Sequence, residues 1–172
     1  MLTNHGYAHK IVLGILIVSM VIQLPLAAQT IDYPEDKRNY FWLGFGLGIG
    51  QTQNDDDLLA GDLHFSVQFN KKFYTSLYRF AASRVLSDGD TFDEYGVMLG
   101  ICRRSRNHFR GASAGVALVN STPGGMSIGL PLRLEYALII GDVLALGVKV
   151  HGTLASRSHF GWTVGLEIGK MR

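Results

Sequence analysis

A two-residue alternation of apolar with small or polar side chains runs from Tyr40 almost to the end of the chain, and it limits the fold more than any other feature. In Tyr40–Gln51 the odd positions are Phe41, Leu43, Phe45, Leu47 and Ile49, while from residue 44 onward Gly44, Gly46, Gly48 and Gly50 occupy the even ones. Side chains switch faces at every residue of a strand but return every 3.6 residues on a helix, so strands alone give this spacing. Asp62–Asn70 sets Leu63, Phe65, Val67 and Phe69 against Asp62, His64, Ser66 and Gln68. Glu94–Cys102, Arg110–Asn120 and Met126–Leu138 repeat the pattern, the last with Arg133 and Glu135 in its middle. Leu144–His151 and Phe160–Ile168 complete the series. Phe73–Ala82 is less regular: Tyr74, Tyr78 and Phe80 share a face, with Leu77 and Arg79 opposite. These runs predict an all-β chain of about eight strands, each of roughly 9 to 13 residues, the length a tilted membrane strand needs.

The N-terminal segment has a different character. Lys10 precedes an uncharged apolar run, Ile11–Leu26, that closes with Pro25-Leu26-Ala27-Ala28. This reads as a secretory signal peptide, residues 1–28, cleaved after Ala28. The run is shorter than the roughly 20 apolar residues of a spanning helix, and no cysteine follows it to carry a lipid. Residues 29–39 read as a polar leader, and residues 40–172 as a single barrel domain. The formal net charge of +2 offers no basic field for nucleic acid. Cys102 is the only cysteine, which rules out an intramolecular disulfide and suits a small packed side chain. With 47% hydrophobic and 17% charged residues, the chain does not have a disordered composition.

Alternation alone does not say which face points inward. A barrel dissolved in water would crowd its outer face with Lys and Glu, whereas the polar face here is mostly Gly, Ser, Ala and Thr. That face therefore reads as the interior, and the aliphatic one as facing lipid. Phe41, Phe69, Tyr95, Tyr136, Phe160 and Trp162 fall towards strand ends, where an aromatic girdle belongs. The few interior charges carry both signs. Buried ions are tolerated when paired, so Arg133 and Lys149 are expected to form an internal ion network with Glu94, Glu135 and Glu167.

The first, third and fifth links (around QNDDDLLAG, SRVLSDGDT and NSTPGG) are long or turn-rich, while NKK and IGD are tight; RRSRN and the link near SRS blur the rule. Strand count, tight turns at one rim and a charged interior resemble the small bacterial outer-membrane barrels of the OmpA/OmpX type. The resemblance covers about residues 40 to 171 and is one of pattern. It implies a monomer in the outer membrane, in contact with its lipids, inserted by the outer-membrane assembly machinery. Members usually end the last strand on an aromatic residue, where this sequence has Gly169-Lys170-Met171-Arg172.

The chemistry-bearing residues give few leads. His64-Phe65-Ser66 resembles the His-x-Ser of barrel-borne lipid A deacylases, whose pair faces the lipid and acts in acyl transfer. Here both side chains share the inward face, and Val67-Gln68-Phe69 does not continue the deacylase pattern, so the expectation is no enzyme and no cofactor. His151 and His159 have no neighbours in sequence that would complete a metal site, and Asp55-Asp56-Asp57 lacks the spacing of a calcium loop, so no metal is expected either. Gly44-Phe45-Gly46-Leu47-Gly48 mimics a nucleotide fingerprint, but no helix follows it. The reading preferred is an integral outer-membrane barrel, filled by its own side chains, with a structural or surface-interaction role. The alternatives are a lipid A-modifying acyl hydrolase using His64 and Ser66, and a soluble periplasmic lipocalin-like ligand-binding barrel. The sequence names no surface partner.

Overall fold

The computed structural model describes residues 39–52, 57–84, 91–122 and 124–171. The expected signal peptide, the leader up to residue 38, Asp55 and Asp56 lie outside the described residues. The strands are β1 (Tyr40–Thr52), β2 (Asp57–Gln68), β3 (Phe73–Ser83), β4 (Thr91–Arg104), β5 (His108–Thr122), β6 (Gly125–Ile140), β7 (Leu144–Leu154) and β8 (His159–Lys170). Each pairs antiparallel with the next, and β8 returns to β1 to close the barrel. The closing ladder is continuous from Phe41 opposite Lys170 to Thr52 opposite His159.

The apolar face points outward. Leu47, Leu99 and Ile128 are 69%, 67% and 74% exposed, and Phe45, Leu63, Val97, Leu118, Leu132 and Val164 continue the same outer belt. Phe41, Phe69, Tyr95 and Trp162 are exposed on this wall, with Tyr136 and Phe160 half-buried. A charged pair interrupts it near the rim where β3 ends: Arg79 grips Asp93 with two hydrogen bonds of 2.9 and 2.8 Å, and the Tyr95 hydroxyl donates to the same carboxylate at 2.8 Å. The pair leaves no net charge on the belt.

The irregular strand β3 is explained by its inner face. Tyr74, Tyr78 and Phe80 point into the barrel, and Leu77 and Arg79 point out. Bulky rings inside need space, and the inward glycines of the neighbouring strands provide it. A Cβ on Gly96 would come within 2.7 Å of the Tyr78 ring, and one on Gly100 would overlap the Tyr74 ring.

Links at one rim are tight for local reasons. Asn70 Oδ1 accepts hydrogen bonds from the amides of Lys72 (2.8 Å) and Phe73 (2.7 Å), folding the β2–β3 turn by a side-chain mimic of a backbone turn. Gly141 opens the β6–β7 turn at φ 71°, a conformation that glycine adopts without strain. The fourth link, ambiguous in sequence, is also tight: β4 runs to Arg104, and the Ser105 amide donates to the His108 carbonyl at 2.8 Å. At the opposite rim the first loop is shorter than its sequence suggested. β2 begins at Asp57, because Leu58 and Ala60 face inward opposite Gly50 and Gly48 and extend the alternation by two pairs.

The β1–β8 seam is tightly packed. A Cβ placed on Gly165 would overlap the Phe45 carbonyl oxygen and lie 2.6 Å from the Gly46 Cα, both backbone atoms that cannot rotate away. Gly165→Ala is therefore expected to lower stability by about 1–3 kcal/mol, the usual cost of overpacking a filled interior. Urea unfolding of the folded barrel in detergent micelles measures it, and an unchanged midpoint would mean the seam has slack.

Candidate functional site

The interior is the only large assembly of polar chemistry among the described residues, and it is built in three layers. At the short-turn rim, Trp42 (β1), Tyr74 (β3), Phe109 (β5), Ala137 and Ile139 (β6), Ala145 (β7) and Met171 form a buried apolar cluster, with Cys102 partly buried against it. Arg104 lies across this plug. Its guanidinium stacks 4.7 Å from the Tyr40 ring, 4.8 Å from Phe109 and 5.2 Å from Trp42, donating to Gln68 Oε1 at 2.8 Å and the Met171 carbonyl at 3.0 Å. Met171 thus turns its side chain into the plug at this rim.

The middle layer is ionic and centred on Asp62. Arg133 Nη2 donates to Asp62 Oδ1 at 2.9 Å, while Lys149 Nζ stands 3.2 Å and His64 Nδ1 3.0 Å from Oδ2. Lys149 also reaches Glu167 Oε1 at 3.5 Å, and the Arg133 guanidinium lies 4.7 Å above the Tyr78 ring. All of these side chains are buried. Glu135 is buried beside them, opposite Lys149 in the β6–β7 register, yet neither carboxylate oxygen has a hydrogen-bond partner among the described residues. The network expected from sequence, Arg133 and Lys149 with Glu94, Glu135 and Glu167, leaves out Asp62, the residue that joins both cations. The inward parity of Asp62 was visible; that it would meet Arg133 from across the barrel was not.

Glu94 belongs to a different layer, nearer the loop rim. Its carboxylate accepts hydrogen bonds from the Tyr78 hydroxyl and, at 2.8 Å, from Thr153 Oγ1. His151 Nε2 lies 3.3 Å from Oε1, and His159 Nε2 2.6 Å from Oε2. The two imidazoles are thus clustered, which corrects the expectation that they lack partners: β7 and β8 carry them to a carboxylate far away in sequence. Phe92 stacks on the His159 ring at 4.0 Å and Phe80 on His151 at 4.6 Å, within an apolar cluster that includes Leu58, Met98 and Val119. Phe80 is legible in the alternation of its run, whereas Phe92 and Phe109 lie just outside theirs and carry no such signal.

His64 and Ser66 both face the interior and are buried. The imidazole pairs with Asp62, and the Ser66 hydroxyl with that of Ser76 from β3. Each is engaged with another partner, and neither reaches the lipid-facing wall, where an acyl chain would lie.

A closed eight-stranded antiparallel ladder, greasy outside and ionised within, has counterparts of known structure. Neisserial surface protein A superposes with a TM-score of 0.57 at 9% identity, covering 76% of this chain and 96% of that one. The fold is that of the small bacterial outer-membrane barrels of the OmpA/OmpX type. A designed transmembrane β-barrel gives a TM-score of 0.50 at 12% identity over 78% of this chain and 98% of its own. The attachment invasion locus protein Ail of Yersinia pestis gives 0.48 at 13% identity, over 77% and 96% respectively. No protein-family model and no curated protein sequence matches the chain.

The geometry at Asp62 leads to a paired test. Arg133→Leu leaves a buried carboxylate short of one cation and is expected to cost about 3–5 kcal/mol. Adding Asp62→Leu removes the stranded charge and should restore a large part of that loss. Chemical unfolding of the single and double variants in micelles checks this, and equal stability of Arg133→Leu and the unaltered chain would show that the ion pair is not needed.

Proposed function

We propose that this chain is an integral outer-membrane barrel that acts as a monomeric structural element of the envelope and presents its loop rim for contact outside the cell. The observation that carries the reading is the inversion of the wall: a continuous apolar belt outside and ionised groups sealed within. Such a surface is stable in lipid and would aggregate in water. A soluble lipocalin-like barrel needs the opposite orientation. Eight strands leave room only for the barrel's own side chains, and here two apolar clusters and an ion layer fill it, so a diffusion pore is disfavoured.

The reading is tested by expressing the full chain in a bacterium with an outer membrane and fractionating the envelope. The expected outcome is recovery in the detergent-extracted outer-membrane fraction, with gel mobility that changes on heating; recovery in the soluble periplasm would overturn it. The enzymatic alternative has its own check. Ser66→Ala is expected to leave the host's lipid A acylation pattern as the unaltered chain leaves it, and an acyl chain retained only in the variant would establish the deacylase instead.

A further inference from the structure

We propose that Glu94, His151 and His159 form a binding site for a divalent transition-metal cation, zinc by its donor set, inside the barrel beneath the loop rim. One carboxylate oxygen and one nitrogen from each imidazole lie within 4.8 Å of one another, and all three side chains are buried. Two histidines and a carboxylate, supplied by β4, β7 and β8, match the ligand types that bind zinc. Metal–ligand bonds of about 2.0–2.2 Å in a tetrahedron place neighbouring donors about 3.3 Å apart. The separation of Glu94 Oε1 from His151 Nε2 is 3.3 Å.

Charge gives the second argument. Glu94 is fully buried, and the partners the structure gives it are Tyr78, Thr153, His151 and His159, none of them a lysine or arginine. An ionised carboxylate in such a place needs positive charge. His151 Nε2 stands 3.3 Å from Glu94 Oε1 and His159 Nε2 2.6 Å from Oε2, so both imidazoles already face the carboxylate. A cation shared by the three donors satisfies all of them at once. The Tyr78 and Thr153 hydroxyls, already donating to Glu94, would hold the carboxylate as outer-shell partners do.

The neighbouring group of His64, Glu135 and Glu167 is an internal comparison. Its donor atoms also lie within 4.8 Å, yet Lys149 stands 3.5 Å from Glu167 and 3.2 Å from Asp62, so that layer has its own permanent cation. His159 also lines a small cleft that it shares with Thr52, Phe92, Ser121 and Arg157.

The test uses the full mature barrel without a histidine tag, folded in detergent, stripped with a chelator, then equilibrated with zinc or cobalt and freed of excess metal. One metal ion per chain is expected, with the visible absorption of four-coordinate cobalt in the cobalt form. His159→Gln and Glu94→Gln should each weaken zinc binding at least tenfold, whereas His64→Gln should leave it unchanged. Zinc should also raise the unfolding midpoint of the unaltered barrel and not that of His159→Gln, a readout that remains usable if Glu94→Gln does not fold. Substoichiometric metal in the unaltered chain, equal affinity in His159→Gln, or loss of binding in His64→Gln alone would each refute the site.

Discussion

A backbone surrounded by hydrocarbon has no water to hydrogen-bond, so every strand in such a setting must be paired along both edges. Closure of β8 onto β1 meets that condition here, and the rest of the structure follows from it. A closed ladder of eight strands fixes a narrow interior, and strict alternation then sends one side chain in two into that space. Several glycines of β1, β4 and β8 are a consequence: at Gly48, Gly96, Gly100 and Gly165, rings from β3 or backbone from adjacent strands come so near that a Cβ has no room. Wall and filling are therefore one packing problem, solved by pairing large inward residues on one strand with bare backbone on the next.

The interior then has to house its own polar groups. It does so by segregation: the ions at Asp62 lie between an aromatic plug at the short-turn rim and the aromatic and histidine layer near the loops. Excluding water strengthens each ion pair and equally raises the cost of an unmatched charge. Asp62 is matched twice over, by Arg133 and Lys149, whereas the groups around Glu94 are hydroxyls and imidazoles, with no lysine or arginine among its partners. That contrast between two carboxylates of one barrel, more than the presence of histidine, distinguishes the layer near the loops chemically.

Much of this was legible from periodicity alone. The strands, the inward side of each, the outward aliphatic belt and the inward placement of Glu94, Arg133, Glu135, Lys149 and Glu167 follow from parity, because a side chain's face is fixed by its position in the run. Local turn chemistry fixed the β2–β3 and β6–β7 links at Asn70 and Gly141 in the same way. The start of β2 was misjudged, since Leu58–Gly61 follows three aspartates and resembles a loop until its register with Gly48 and Gly50 is seen.

The sequence by itself thus determined an inverted β wall and most of the residues inside it, since both depend on a two-residue period carried by each strand independently. Only the tertiary structure decided which of those residues meet. Asp62 joins Arg133 and Lys149, and Glu94 joins His151 and His159, across the barrel or around its wall. Those meetings depend on the relative stagger of strands distant in sequence and on the diameter of the closed barrel. Neither quantity is encoded in any single run of residues.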